Sequence, residues 1–278
     1  MLKKMFFTAS AVCSILFAAA QTIETPQPSP TQTTKQNFGL SAITLTYSRP
    51  GIKGRKVFGD LVPFGKVWRT GANNATTIEF GDDVMIGGTK VPKGEYGIIT
   101  IPDKDVWTVI VSKQLDITNP AAYKPENDLV RTTVKPIVLK DLVETFTMQF
   151  ANVKPTSCDL QIMWENTIVT LPITTDVDTK VTARIKEVLS SDNRPYFQAA
   201  VYYLENGKDL NQALEWFNKA AEQQPDAYWV HLQRANCLAK LGKKEDAKAA
   251  SQKSRELAVK AGNDDYVRLN DKLLAQLK

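Results

Sequence analysis

The segment Asp159–Leu189, DLQIMWENTIVTLPITTDVDTKVTARIKEVL, changes its hydrophobic period partway along and so divides the chain in two. Up to Ile173 it is rich in Val, Ile, Thr and Trp, the composition of a pleated strand with a buried face. From Asp176 onward, Val177, Val181, Ile185, Val188 and Leu189 recur at helical spacing, behind two residues, Asp176 and Asp178, suited to capping a helix N-terminus. Strand patterns precede this junction and helical patterns follow it. The expectation is a β domain over residues 38–175 and an α-helical domain over 176–278.

Upstream, Ile43, Leu45 and Tyr47 alternate with Ala42, Thr44 and Thr46, which puts one set on each side of a strand. Further strands are read at Thr76–Phe80, Val84–Ile86, Tyr96–Ile101, Val106–Val111, Val130–Leu139, Glu144–Val153 and Asp159–Ile173. Gly87-Gly88, Pro92-Lys93-Gly94, Pro102-Asp103 and Glu165-Asn166 separate them as turns, because Gly and Asn tolerate positive φ. Many short strands with frequent breakers give an antiparallel sandwich or barrel. Phe80, Trp107, Phe146, Phe150, Trp164 and Leu171 supply its core, and Gln114–Asp128 reads as a loop lapping over the sheet.

The first 20 residues read as a secretory signal peptide: Lys3 and Lys4, an apolar run from Met5 to Phe17, then Ala18–Ala20 before the cut. The run is shorter than the roughly 20 residues that span a bilayer, so no stable transmembrane segment is expected after cleavage. Residues 21–37, QTIETPQPSPTQTTKQN, carry little to bury and read as a flexible tether. This address predicts export to the periplasm or cell envelope.

Loss of Lys3 and Lys4 takes the formal net charge from +5 to +3. From Asp176 to the end, 17 Lys and Arg stand against 15 Asp and Glu, so no face is committed to a phosphate backbone and nucleic acid is not expected as a partner. Cys158 and Cys237 fall one in each domain with no spacing pattern, and two unpaired buried thiols are expected. His231 is the only histidine and lies in the helical part, which leaves a Ser-His-Asp or Cys-His arrangement without a partner in the β domain. No phosphate loop, dinucleotide fingerprint or metal cluster is present, so no cofactor and no metal are expected. Asp82-Asp83 and Asp103 with Asp105 sit at hairpin positions, where aspartate bonds its own backbone.

Three stretches carry a family likeness: GRKVFGDLVPFGKVWRTGANNATTIEF from Gly54 to Phe80, IGGTKVPKGEYGIITIP from Ile86 to Pro102, and WTVIVSK from Trp107 to Lys113. They resemble a bacterial family catalogued as domain of unknown function 2911, from about Ser41 to Thr175. The resemblance implies no activity. One position departs from it: where the family's run reads Gly-Ala-Asn-Glu-Ala-Thr, this chain has Asn74, so a role of that carboxylate in relatives does not carry over.

Within Lys66–Phe80, the donors of Arg69, Asn73 and Asn74, with Arg55 upstream, gather near Trp68, a combination that recognises a carboxylate, a sugar or a peptide backbone. The alternative is that Arg69 and Asn73 hold a loop by bonding main-chain groups, Gly71 supplies an awkward φ, and Trp68 is core. An enzymatic variant of the first reading uses Arg69, Asn73 and Glu79 in a hydrolase.

The helical segment breaks at Asp192-Asn193, Asn206-Gly207, Pro225-Asp226, Leu241-Gly242 and Gly262-Asn263, giving six amphipathic pieces. Ala213 and Ala247 lie 34 residues apart, as do Lys219 and Lys253. Tyr196, Ala199, Ala200, Tyr203, Gly207, Phe217, Ala220 and Pro225, then Ala235, Leu238 and Gly242, occupy positions that resemble tetratricopeptide repeats. Arg234, Ser251 and Ser254 depart from that pattern. The resemblance implies tetratricopeptide-like α-helical hairpins and a protein partner, with Trp229, Asn236 and Lys240 as candidate groove residues. The function expected is non-catalytic binding or assembly, with a β domain that supports the helices or binds a small envelope ligand.

Overall fold

A computed structural model describes residues 25–190 and 195–278. The signal-peptide reading and the break at Asp192-Asn193 lie outside the described residues. The chain separates into two compact units, one ending at Thr175 and the other beginning at Asp176.

The first unit is two antiparallel sheets. The larger is ordered β1 (Thr31–Phe38), β2 (Ser41–Ser48), β3 (Thr76–Phe80), β6 (Gly94–Ile101), β7 (Trp107–Ser112) and β8 (Asp128–Val134). The smaller is β5 (Thr89–Val91), β4 (Val84–Ile86), β10 (Ser157–Thr174) and β9 (Ile137–Ala151). Alternation sends Ile43, Leu45, Tyr47, Ile78, Phe80, Trp107 and Val109 from one sheet against Phe146, Leu160, Ile162, Trp164 and Leu171 from the other. Gly87 and Gly88, at φ 56° and 79°, form the two-residue turn joining β4 to β5.

Three readings are corrected here. Residues 31–37 belong to a strand rather than a tether: β1 pairs with β2 along its whole length, from Thr31 opposite Ser48 to Phe38 opposite Ser41. Its polarity suits a sheet edge, and its order comes from backbone pairing rather than from apolar burial. The Gln32 side chain also contributes, its Oε1 accepting from Arg49 Nη1 at 2.8 Å.

Glu165-Asn166 is not a turn. It lies inside β10, where Glu165 takes φ 54° and the register with β9 shifts on both sides. The inward residues are even-numbered before this point (Leu160, Ile162, Trp164) and odd-numbered after it (Val169, Leu171, Ile173), so a bulge is needed to keep both halves facing the core. Likewise Val130–Leu139 is two strands, the end of β8 and the start of β9. Residues 113–127 do lap over the outer face of the larger sheet, burying Ile117 against Ile99 and Ile110.

The sheets are joined along one side. Beyond β2 the chain crosses to β9, where Phe146 N donates to Pro50 O and Ile52 N to Glu144 O, each at 2.9 Å. Arg49 adds Nε to Phe146 O at 3.1 Å, and the Tyr47 hydroxyl donates to Met148 O at 2.9 Å.

The second unit consists of α1 (Asp178–Val188), α2 (Tyr196–Glu205), α3 (Leu210–Gln223), α4 (Tyr228–Lys240), α5 (Lys244–Lys260) and α6 (Asp264–Gln276), of which α2 to α6 pack each against the next as helical hairpins. Gly207, Gly242 and Gly262 each take the left-handed conformation just past a helix end. Buried Ala200, Ala213, Ala220, Ala235 and Ala247 let the backbones approach, and Phe217 fills the space between α2 and α3. Ser251 and Ser254 are explained by a buried network: Asn270 Oδ1 accepts from Ser251 Oγ and Asn270 Nδ2 donates to Ser254 Oγ, both at 2.9 Å. Ser254 Oγ in turn donates to Tyr228 O at 2.7 Å. Cys158 and Cys237 are free and buried, as expected. No described helix is long and apolar enough to cross a membrane.

Candidate functional site

Between β2 and β3 the chain runs as a strap, residues 49–75, across one end of the first unit. Two carboxylates of the smaller sheet hold it: Glu144 Oε1 accepts from Lys53 N at 2.9 Å, and Glu165 accepts from Val57 N and Phe58 N at 3.4 and 3.5 Å. Phe58 then enters the core, 4.9 Å from the Trp107 ring. At Trp68 the strap becomes briefly strand-like, exchanging main-chain bonds of 2.8 and 2.9 Å with Thr100.

Trp68 is a core residue, as the structural alternative had it. Its ring stacks on Trp164 at 5.8 Å and 18°, and its indole Nε1 donates to Gly71 O at 3.1 Å. The turn that follows is strained: Thr70 sits at φ 58°, Gly71 at 150° and Asn73 at 56°. Positive φ in a β-branched residue is a genuine outlier. Thr70 is held there by its hydroxyl bond to Thr100 Oγ1 at 3.0 Å and by Thr76 Oγ1, which donates to Thr70 O at 2.6 Å. Clustered outliers of this kind mark sites where the surroundings fix a particular side-chain placement.

Above the stacked tryptophans lies a pocket of about 360 Å³. The turn contributes Trp68, Arg69, Gly71 and Ala72, and the strap contributes Arg55, Leu61, Val62, Pro63 and Val67. Ser29, Pro50, Pro120 and Trp164 complete the wall. It therefore contains two arginines and no acidic residue. Arg55 is largely committed, with Nε donating to Ile52 O at 2.9 Å and Nη2 to Gly51 O at 2.7 Å. Arg69 is different: its Nε is shielded from water and has no hydrogen-bond partner among the described residues. A buried donor left this way costs on the order of 1–3 kcal/mol, more when charged, so its retention calls for an explanation.

Of the residues expected at this site, Arg55, Trp68 and Arg69 line the pocket. Asn73 does not; its Nδ2 donates to Ser29 O at 3.0 Å, which fixes a wall residue instead. Asn74 is exposed and Glu79 lies on the outer face of β3, opposite Glu95, so neither joins the arginines. Leu61, Pro63, Pro120 and Trp164 were not anticipated as wall residues, and Ser29 fell in the supposed tether. Only the apolar run Leu61–Phe64, beside the arginines in sequence, offered a signal.

In α4, Trp229, Asn236 and Lys240 follow one helical stripe at spacings of seven and four. Lys240 Nζ is tied to the end of α2, donating to Leu204 O at 3.1 Å, so it closes a helix terminus rather than standing free for a ligand. Trp229 is 36% exposed and meets Tyr228 edge to face at 5.0 Å. His231 is buried, with Nε2 against Pro225 O at 2.8 Å. Burial pushes the Cys158 thiol up to about 11, helped by the Asp159 charge, and raises that of Cys237, so both stay protonated and poor as nucleophiles. Asp83 and Asp103 cap backbone N–H groups of Lys93 and Lys104, and no His/Cys/Asp/Glu group among the described residues is arranged to hold a metal ion.

Residues 29–173 match the family described as "Protein of unknown function (DUF2911)". The chain belongs to DUF2911. The match begins at Ser29, so it takes in β1, the strap and every residue of the pocket wall. No curated protein and no solved structure matches the chain. The helical unit lies outside the DUF2911 match.

Proposed function

We propose that this DUF2911 protein is an exported, non-catalytic binding protein of the cell envelope, taking a small ligand in the pocket above Trp68 and Trp164. The observation that carries the reading is the pocket itself, whose wall brings Arg55 and Arg69 beside the stacked Trp68 and Trp164 with no acidic residue. A polar or anionic ligand would meet these guanidinium groups, of which Arg55 is already bound to Ile52 O and Gly51 O.

The helical unit is read as tetratricopeptide-like hairpins that engage a protein partner. Supporting this are the 34-residue offset between Ala213 and Ala247, both buried, and the stripe of α4 that carries exposed Trp229. The export address rests on the N-terminal sequence.

Thermal melting of wild type and Arg69→Ala against glycans, peptides, cell-wall fragments and divalent metals tests the pocket. The expected outcome is a ligand that raises the wild-type midpoint and leaves the variant's unchanged. A ligand that stabilises both proteins equally refutes the pocket reading, and turnover of a panel member that Arg69→Ala abolishes refutes its non-catalytic part in favour of a hydrolase.

A further inference from the structure

Building on the reading of this pocket as a binding site, we propose that its ligand is a small monocarboxylate with an apolar body. Two arginines in a wall that has no acidic residue favour an anion. With Arg55 largely bound to carbonyls, Arg69 is the wall arginine left to meet an anion, and a single planar guanidinium matches the two oxygens of a carboxylate.

The rest of the wall argues against anions and polyols that need many donors. Pro50, Pro63 and Pro120 have no backbone N–H to offer. Phosphates are commonly held by several N–H groups at a helix N-terminus or in a glycine-rich nest, and the described part of the first unit contains no α-helix. Sugars need hydroxyl partners that Leu61, Pro63 and Trp164 do not supply. Leu61 is 42% exposed while lining the pocket, so an apolar body laid against it would cover a surface otherwise left to water. At about 360 Å³ the space is near the lower end of ligand pockets, which limits the body to a short chain or a single ring.

The test is a titration of the intact, ¹⁵N-labelled chain with hexanoate, hexanamide, hexanol and hexyl phosphate. It is read at the Trp68 and Trp164 indole N–H and the Arg69 Nε–H resonances. Hexanoate is expected to move all three and to bind about tenfold tighter than hexanamide, the difference between a charge-assisted and a neutral hydrogen bond. Arg69→Gln removes that preference. Because Arg69→Gln can disturb the turn, Leu61→Asp and Leu61→Lys at the exposed rim give a second arm. Hexanoate should bind the lysine variant several-fold tighter than the aspartate variant, and hexanol should bind both alike.

Equal affinity for hexanoate and hexanamide overturns the carboxylate, and tighter binding of hexyl phosphate overturns it in favour of a phosphate. Both results leave the pocket reading standing, since the same indoles move. Indoles that ignore all four probes also overturn the carboxylate, and the melting panel then judges the pocket separately.

Discussion

At the scale of single residues, the site is held in place by the backbone as much as by side chains. Gly71 has φ 150°, and a Cβ there would stand 3.1 Å from both Ser48 O and Thr76 Oγ1. Neither neighbour is the free end of a flexible chain: Ser48 ends β2, and the Thr76 hydroxyl is bound to Thr70 O. Gly71→Ala is therefore expected to destabilise the protein by about 1–3 kcal/mol, through strain at a position that L side chains avoid. Urea unfolding of the two proteins checks this, and a loss below about 0.5 kcal/mol, the range of neutral surface changes, contradicts it. The same substitution should broaden the Trp68 indole resonance, because Gly71 O is the acceptor of its N–H.

At the scale of elements, the α5–α6 pair is stitched by polar atoms in a setting that an apolar pattern would normally fill. Asn270 is fully buried and joins Ser251, Ser254 and the Tyr266 carbonyl. Asn270→Ala leaves the Ser251 hydroxyl without its 2.9 Å partner and opens a small cavity, for an expected cost of about 2–4 kcal/mol. Hydrogen exchange confined to α5 and α6 should accelerate; uniform exchange across the unit would speak against a local role. This element also shows the limit of sequence reading. Ser251 and Ser254 looked like defects in a repeat because their partner sits 16 to 19 residues away on another helix. The β elements followed from alternation and glycine turns, but β1 was missed because Thr and Gln pair as edge strands with no apolar signal. Glu165 looked like a turn because a bulge and a turn ask for the same positive φ. Arg55, Trp68 and Arg69 were legible at the site because they cluster in sequence. Trp164, Pro120 and Ser29 were not, because only the fold brings them to the pocket.

At the scale of the whole molecule, each unit carries a tyrosine whose proton the folded state holds tightly. Burial, with the hydrogen bond and charge of Asp128, lifts Tyr123 to about 12; burial and the hydrogen bond to Asp178 do the same for Tyr202. A raised folded-state value means that stability from these groups is complete below the ordinary tyrosine value of 10 and falls as pH climbs toward 12. Melting midpoints should decline over that window, less steeply in Tyr123→Phe and Tyr202→Phe; a slope unchanged in both variants rules out these two groups as its source. The anchoring of the strap carries a consequence of a different kind, for the order of events during folding. The β9–β10 hairpin closes from neighbouring residues, whereas Lys53 and Val57 must find Glu144 and Glu165 across separations of 91 and 108 residues. Long closures are reached late. A newly folding chain should therefore acquire its β9–β10 hairpin first and its pocket late, so that ligand competence lags behind the first secondary structure in time.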